Sequence, residues 1–178
     1  MGAEQSAPLY NIWRNRIMIV MSWDQSTKIS AWSIFSDEQY EISGVIDHHK
    51  IKNVDERVQK MGLSICAKIE EAMPDVLIIE EVAQQSNANT LKLLARIQGI
   101  IIGFAAAHKI PVHILEPAKW RSQLSFKQGA GVKREQLKSQ AIEYIKNTYG
   151  LDLMEDICEA ICINDAAHKI YDFGWGTI

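Results

Sequence analysis

The chain has 178 residues, of which 47% are apolar and 23% charged, and it carries a net charge of −3 with a pI near 6.0. Those proportions fit an ordinary globular protein, no apolar stretch approaches the roughly 20 residues of a membrane span, and the first 15 residues lack the apolar core of a signal sequence. Three cysteines, Cys66, Cys158 and Cys162, make no even-numbered disulfide framework, so the expectation is one domain over residues 1–178, cytoplasmic, with no membrane partner and with residues 1–15 as a loosely ordered extension.

In chain order, "RIMIVMSWD" (residues 16–24) reads as a buried strand. "KISAWSIF" and "QYEISGVI", separated by the turn-like "SDE", complete a three-strand antiparallel meander. Over residues 53–73, Val54, Val58, Met61, Leu63, Ile65, Ile69 and Met73 recur at helical spacing, and Pro74 stops the pattern. A short apolar run, Val76 to Ile79, is a strand buried on both faces. "SNANTLKLLARIQGIIIGFAAAHK" then predicts a central, buried helix, because it is apolar almost all round. "IPVHIL" is a further strand, "EPAKWRSQLSFKQGAGVKR" is irregular, and "KREQLKSQAIEYIKNTYG" and "EDICEAICINDAAHKIYDF" are helices.

Overall acidity hides a local basic excess. Residues 108–147 carry eight Lys or Arg against three Glu, a distribution suited to gripping phosphates around an acidic centre. Acids stand where the elements end: Asp24 closes the first strand, Glu80 and Glu81 the fourth, and Asp156 and Glu159 lie three apart on one face of the last helix. If the first and fourth strands are neighbours, four carboxylates converge. They cannot all stay ionised at close range without a cation, and an all-oxygen donor set favours Mg²⁺ or Mn²⁺ over zinc. Two such ions, roughly 3.5–4 Å apart, are the equipment of phosphoryl transfer.

"MIVMSWDQSTKISAW", "LIIEEV" and "EDICEAICI" resemble the three motif regions of RuvC-like Holliday junction resolvases of Gram-positive bacteria and their phages, over about residues 17–171. The resemblance implies an α/β ribonuclease H-like fold, with a mixed five-stranded sheet of three antiparallel and two parallel strands flanked by helices. It implies that Asp24, Glu80, Asp156 and Glu159 bind two Mg²⁺, with Mn²⁺ able to substitute. It implies DNA contacts from Lys119 and Arg121 in "KWR" and from Lys133 and Arg134 in "KRE", to which Lys127 and Lys138 of the same basic stretch are added. The implied protein is a homodimer that nicks opposed strands of a four-way junction, leaving 5′-phosphate and 3′-hydroxyl ends.

Two positions depart from that pattern. Glu159 stands where aspartate is usual, and Trp23 precedes Asp24 where a smaller residue is usual. Trp23 is expected to pack in the core. Cys158 and Cys162, one helical turn apart with His168 beyond, lack a fourth ligand at zinc-site spacing and are expected to be small buried hydrophobes. His48 and His49 fall in a loop or at an edge, and Asp165 and His168 are placed no nearer than the far end of the site. "SWDQST" also looks like the phosphate loop of actin-like ATPases, but the chain has no room for their second half and no "GxxxxGK". A nuclease acting on structured RNA and a junction binder without catalysis remain the two alternative readings.

Overall fold

The computed structural model describes residues 17–82 and 87–173; the expected N-terminal extension, residues 1–15, lies outside them. Strands β1 (Ile19–Asp24), β2 (Ile29–Ser36), β3 (Gln39–Asp47), β4 (Val76–Glu80) and β5 (Val112–Leu115) form one sheet in the order β3-β2-β1-β4-β5. The first three pair antiparallel, while β4 runs parallel to both β1 and β5. Helices α1 (Val54–Ala72) and α2 (Ala88–Ala107) cover one face, and α3 (Pro117–Gln123), α4 (Arg134–Tyr149) and α5 (Glu155–Ile170) cover the other. The mixed five-stranded α/β architecture matches the expectation.

Period-two alternation divides the core between the faces. Val20 and Ile78 pack with α3, α4 and α5, whereas Met21, Trp23, Leu77 and Ile79 pack with α1 and α2. Helix α1 presents Val58, Met61, Ile65 and Ile69 to the sheet, and Asn53 caps its start by accepting the Glu56 N–H at 3.0 Å. At Gly62 a Cβ would stand 2.7 Å from the Ile100 side chain, so glycine lets α2 lie close against α1.

A polar seam fixes α5 against the sheet. Ser22 Oγ donates to the Ala160 carbonyl at 2.7 Å and lies 2.7 Å from Ser33 Oγ. Asn164 Nδ2 donates to the Val20 carbonyl at 3.1 Å and to Ser33 Oγ at 3.2 Å. Ser22, Ser33 and Asn164 are all fully buried. Buried polar groups are costly unless paired, so these bonds select one axial position of α5 along β1.

Three expectations are corrected. The stretch after β5 is not wholly irregular: Pro117 opens the short helix α3, with its fixed φ suited to the first helical position. Helix α2 is not central. Only Ile97, Ile101 and Ala105 are fully buried, because α1 already takes up the sheet face and leaves α2 a single stripe to bury. The same helix overturns the reading that no apolar stretch reaches membrane-span length: Ala88–Ala107 is 20 residues long with a mean hydropathy of 1.4 over its best window, of which 17% is buried.

The seam makes a stability prediction. Asn164→Asp removes two donated bonds and places a charge among carbonyl oxygens, and should cost about 3 kcal/mol or more; Ser33→Ala should cost about 1–2 kcal/mol. Urea denaturation of the two variants checks both values and their order.

Candidate active site

The alternation that sorts the core also aims the acids. Asp24 follows Val20 and Ser22 on the α5 side of β1, and Glu80 follows Val76 and Ile78 on the same side of β4. The β1–β4 register pairs Trp23 with Ile79, so Asp24 and Glu80 come next on adjoining strands. Glu81 lies beyond the last strand residue and is exposed. Across the edge, the seam at Ala160 sets Asp156 and Glu159 over Asp24. Carboxylate oxygens of Asp24, Asp156 and Glu159 lie within 4.8 Å of one another.

Glu80 stands beside this trio under separate control. Its Oε1 accepts the Trp120 Nε1–H at 2.8 Å, its backbone carbonyl accepts the Gln25 side-chain amide, and Arg121 Nη2 lies 3.7 Å away. The same guanidinium nitrogen is 3.6 Å from Glu159, so Arg121 straddles two of the four acids. Among the described residues, the carboxylates of Asp24 and Asp156 receive no hydrogen bond and no salt bridge.

The crowding shows in the protonation equilibria. Burial, then the charges of Glu80, Glu159 and Asp156, push Asp24 well above the ordinary carboxylate range, and Lys138 offsets only part. Burial raises Glu80 against the hydrogen bond from Trp120 and the charge of Arg121. Burial likewise raises Glu159, opposed by Arg121 and Lys138. Ionised together, these acids would carry more negative charge than Arg121 and Lys138 offset, and their donors are all oxygens. Such a set fits a hard divalent cation held by Asp24, Asp156 and Glu159, with Glu80 alongside.

These acids sit in an open pocket of about 770 Å³, lined also by Gln25, Arg57, Thr90, Arg121, Arg134 and Lys138. Of the six cations expected to meet DNA, Arg121, Arg134 and Lys138 line it, and Lys138 is ion-paired with Glu155. Lys119, Lys127 and Lys133 stand outside it and are exposed. Lys119 lies over the Tyr171 ring at 5.5 Å. The backbone N–H of Lys127 donates to Gln140 at 2.7 Å and that of Lys133 to Gln136 at 2.8 Å.

No protein-family model matches the chain. The crossover junction endodeoxyribonuclease RuvC of Bifidobacterium animalis subsp. lactis is 29% identical over 117 residues, which is 66% of this chain and 58% of that protein. RuvC of Corynebacterium glutamicum is 30% identical over 70 residues, 39% of this chain and 32% of that protein. The chain therefore spans less than two thirds of the length of these relatives. Among solved structures, Thermus thermophilus RuvC in complex with a Holliday junction substrate superposes with a TM-score of 0.66 at 13% identity, covering 85% of this chain and 93% of that one. The yeast mitochondrial Holliday junction resolvase Ydc2 gives 0.54 at 15% identity, over 84% and 77%. By sequence and by fold, the chain is RuvC-like. Its fold is the ribonuclease H-like fold expected from the motifs.

The remaining expectations for this RuvC-like chain separate cleanly. Trp23 is fully buried in the α1–α2 core, as expected, and leaves the pocket to smaller groups. Cys158 and Cys162 are buried apolar residues, and among the described residues the only metal-like grouping is the acidic one. His48 meets Ser64 at 3.0 Å and His49 pairs with Asp47 in the loop after β3. Asp165 and His168 do not line the pocket. Asp165 accepts from Tyr144 and Lys169, joining α4 to α5, and His168 stacks on Phe35 at 5.5 Å. Sequence reasoning missed Trp120 as the holder of Glu80 and missed Arg57 altogether. Arg57 had a signal: it continues the stripe Met61, Ile65, Ile69 at four-residue spacing, where a core residue is expected.

Raised carboxyl groups set the sign of a pH effect. Their protonated forms favour the folded state, so this contribution is complete below the ordinary carboxylate range, near pH 4, and is lost as pH rises through the raised values. Metal-free protein should thus lose stability from about pH 4 upward in this respect. At neutral pH Asp24→Asn should raise the melting temperature in EDTA by about 2–4 °C, equivalent to roughly 1 kcal/mol at this size. Added Mn²⁺ should raise the wild-type value and move the variant far less. Differential scanning calorimetry with and without the ion measures all three.

Proposed function

We propose that the chain is a metal-dependent, structure-selective endonuclease that hydrolyses phosphodiesters in four-way or related branched DNA, working as a homodimer. The observation that carries this reading is the trio Asp24, Asp156 and Glu159, with oxygens within 4.8 Å, in a pocket whose other wall is cationic. Asp24, Glu80, Asp156 and Glu159 would hold two Mg²⁺, or Mn²⁺ in substitution, which when bound supply an activated water and a counter-charge for the leaving oxygen.

The chain's own groups then divide the work. Arg134 and Lys138 hold the non-bridging phosphate oxygens as charge-assisted donors. Arg121 keeps Glu80 and Glu159 apart and partly neutralised, so neither collapses onto the other. Trp120 fixes the Glu80 rotamer from a fully buried position, which holds that carboxylate before substrate arrives. Water adds across the P–O3′ bond, giving a 5′-phosphate and a 3′-hydroxyl. The extra methylene of Glu159 reaches the trio because the seam bond to the Ala160 carbonyl fixes the helix beside it.

A gel assay on four-way, three-way and linear duplex DNA, with Mg²⁺ or with EDTA, tests the reading. Wild-type protein should cut the branched substrates only with the metal. Asp24→Asn and Glu80→Gln should each lower cleavage by about a thousandfold or more while junction affinity stays within about twofold, since neither residue contributes positive charge. Glu81→Gln should stay near wild type. A preference for structured RNA would replace DNA as the substrate, and binding without cleavage in Mg²⁺ would reduce the protein to a junction binder. Arg121, Arg134 and Lys138 should each matter more to junction affinity than Lys119, Lys127 or Lys133, and Gln substitutions compared by fluorescence anisotropy check the order.

A further inference from the structure

The pocket extends past the acids, over the carboxyl ends of β1 and β4, into the layer of α1 and α2. There it is lined by Ser26, Thr27 and Lys28 of the β1–β2 turn, by Arg57 and by Thr90. Arg57 is 8% exposed, and its Nη1 donates to the Ile51 carbonyl at 2.7 Å. Its Nε–H is buried and, among the described residues, has no acceptor. The acids nearest to it on α1 are engaged elsewhere: Asp55 with Arg96 at 3.1 Å and Glu56 with Lys60 at 2.9 Å. Among the described residues no carboxylate lies within salt-bridge distance of Arg57.

A buried guanidinium without a counter-ion, opening into a pocket, is a vacancy for an anion. We propose that Arg57, with the Lys28 ammonium and the Thr27 hydroxyl that line the same pocket, forms a second phosphate subsite. It takes a backbone phosphate of the nucleic-acid strand whose neighbouring phosphodiester lies at the acidic trio. Arg121, Arg134 and Lys138 belong to the α3–α5 layer and Arg57 to the α1 layer, so the strand is gripped on both sides of the sheet edge as it crosses the acids. The guanidinium fork suits a tetrahedral oxyanion and orients it, which an ammonium does less well. This assignment rests on the endonuclease reading and deepens it, making Arg57 a positioning residue.

The test compares Arg57→Met, Arg57→Lys and, as a control for loss of nearby charge, Lys52→Met, an exposed residue outside the pocket. Junction affinity is measured in Ca²⁺ across a salt titration, and single-turnover cleavage is measured in Mg²⁺ at saturating protein. Arg57→Met should bind about tenfold more weakly, with the slope of log K against log salt smaller by about one, and should cleave slowly even when saturated. Arg57→Lys should recover the slope but only part of the cleavage rate, and Lys52→Met should stay near wild type. A folded Arg57→Met with wild-type slope and rate overturns the subsite while leaving the endonuclease reading intact. Wild-type protein that neither binds nor cuts branched DNA removes the reading and the subsite together. If Arg57→Met does not fold, wild-type crystals soaked in tungstate decide: an anion on the Arg57 guanidinium supports the subsite, and none there overturns it.

Discussion

Everything at this site follows from carboxylates placed closer together than their charges tolerate. Asp24, Asp156 and Glu159 bring oxygens within 4.8 Å, with Glu80 on the adjoining strand. Among the described residues only Arg121 forms salt bridges with them, through contacts of 3.7 and 3.6 Å to Glu80 and Glu159. Burial strengthens the repulsion because water no longer screens it. A folded chain holds such a cluster only if other interactions compel it, and it is relieved either by protonation, as the raised carboxyl groups show, or by a multivalent cation that leaves the acids ionised.

The compulsion lies in the sheet and in the polar seam. Parallel pairing of β1 with β4 fixes Asp24 beside Glu80, and alternation turns both side chains toward α5. Ser22, Ser33 and Asn164 then leave α5 one position, since sliding it by a turn would strand several buried polar groups. The acids are therefore held by groups that take no part in their chemistry. The carboxyl ends of parallel strands are where open α/β sheets gather ligand sites, and here layers from both faces meet at that edge. Helix α3 joins them by lending Trp120 to Glu80.

Much of this was legible in the residues. The alternation and turn signals gave the meander, helical spacing gave α1, α4 and α5, and the three-residue separation of Asp156 and Glu159 put both on one helical face. Glu81 shows why register mattered: one position past Glu80, it leaves the strand and faces solvent. What the residues concealed depended on contacts between distant segments. Helix α2 looked central because apolarity was counted around its circumference, yet burial depended on how much sheet α1 left free. The grip of Trp120 on Glu80 spans 40 residues, and no local pattern announces it. The basic stretch was seen as one set, but only the folded chain divides Arg121, Arg134 and Lys138 from Lys119, Lys127 and Lys133. Arg57 stands in line with the apolar stripe of α1, and a count of apolar residues alone passes over it.

The central claim is that the acidic cluster is a divalent cation site, and the most direct measurement is anomalous diffraction at the manganese edge from crystals soaked in MnCl₂. The account predicts a manganese peak within coordination distance of Asp24, Asp156 and Glu159, with a second ion at Glu80 when DNA is present. Absence of manganese from this cluster at millimolar concentration, or its binding only at surface acids elsewhere, would contradict it.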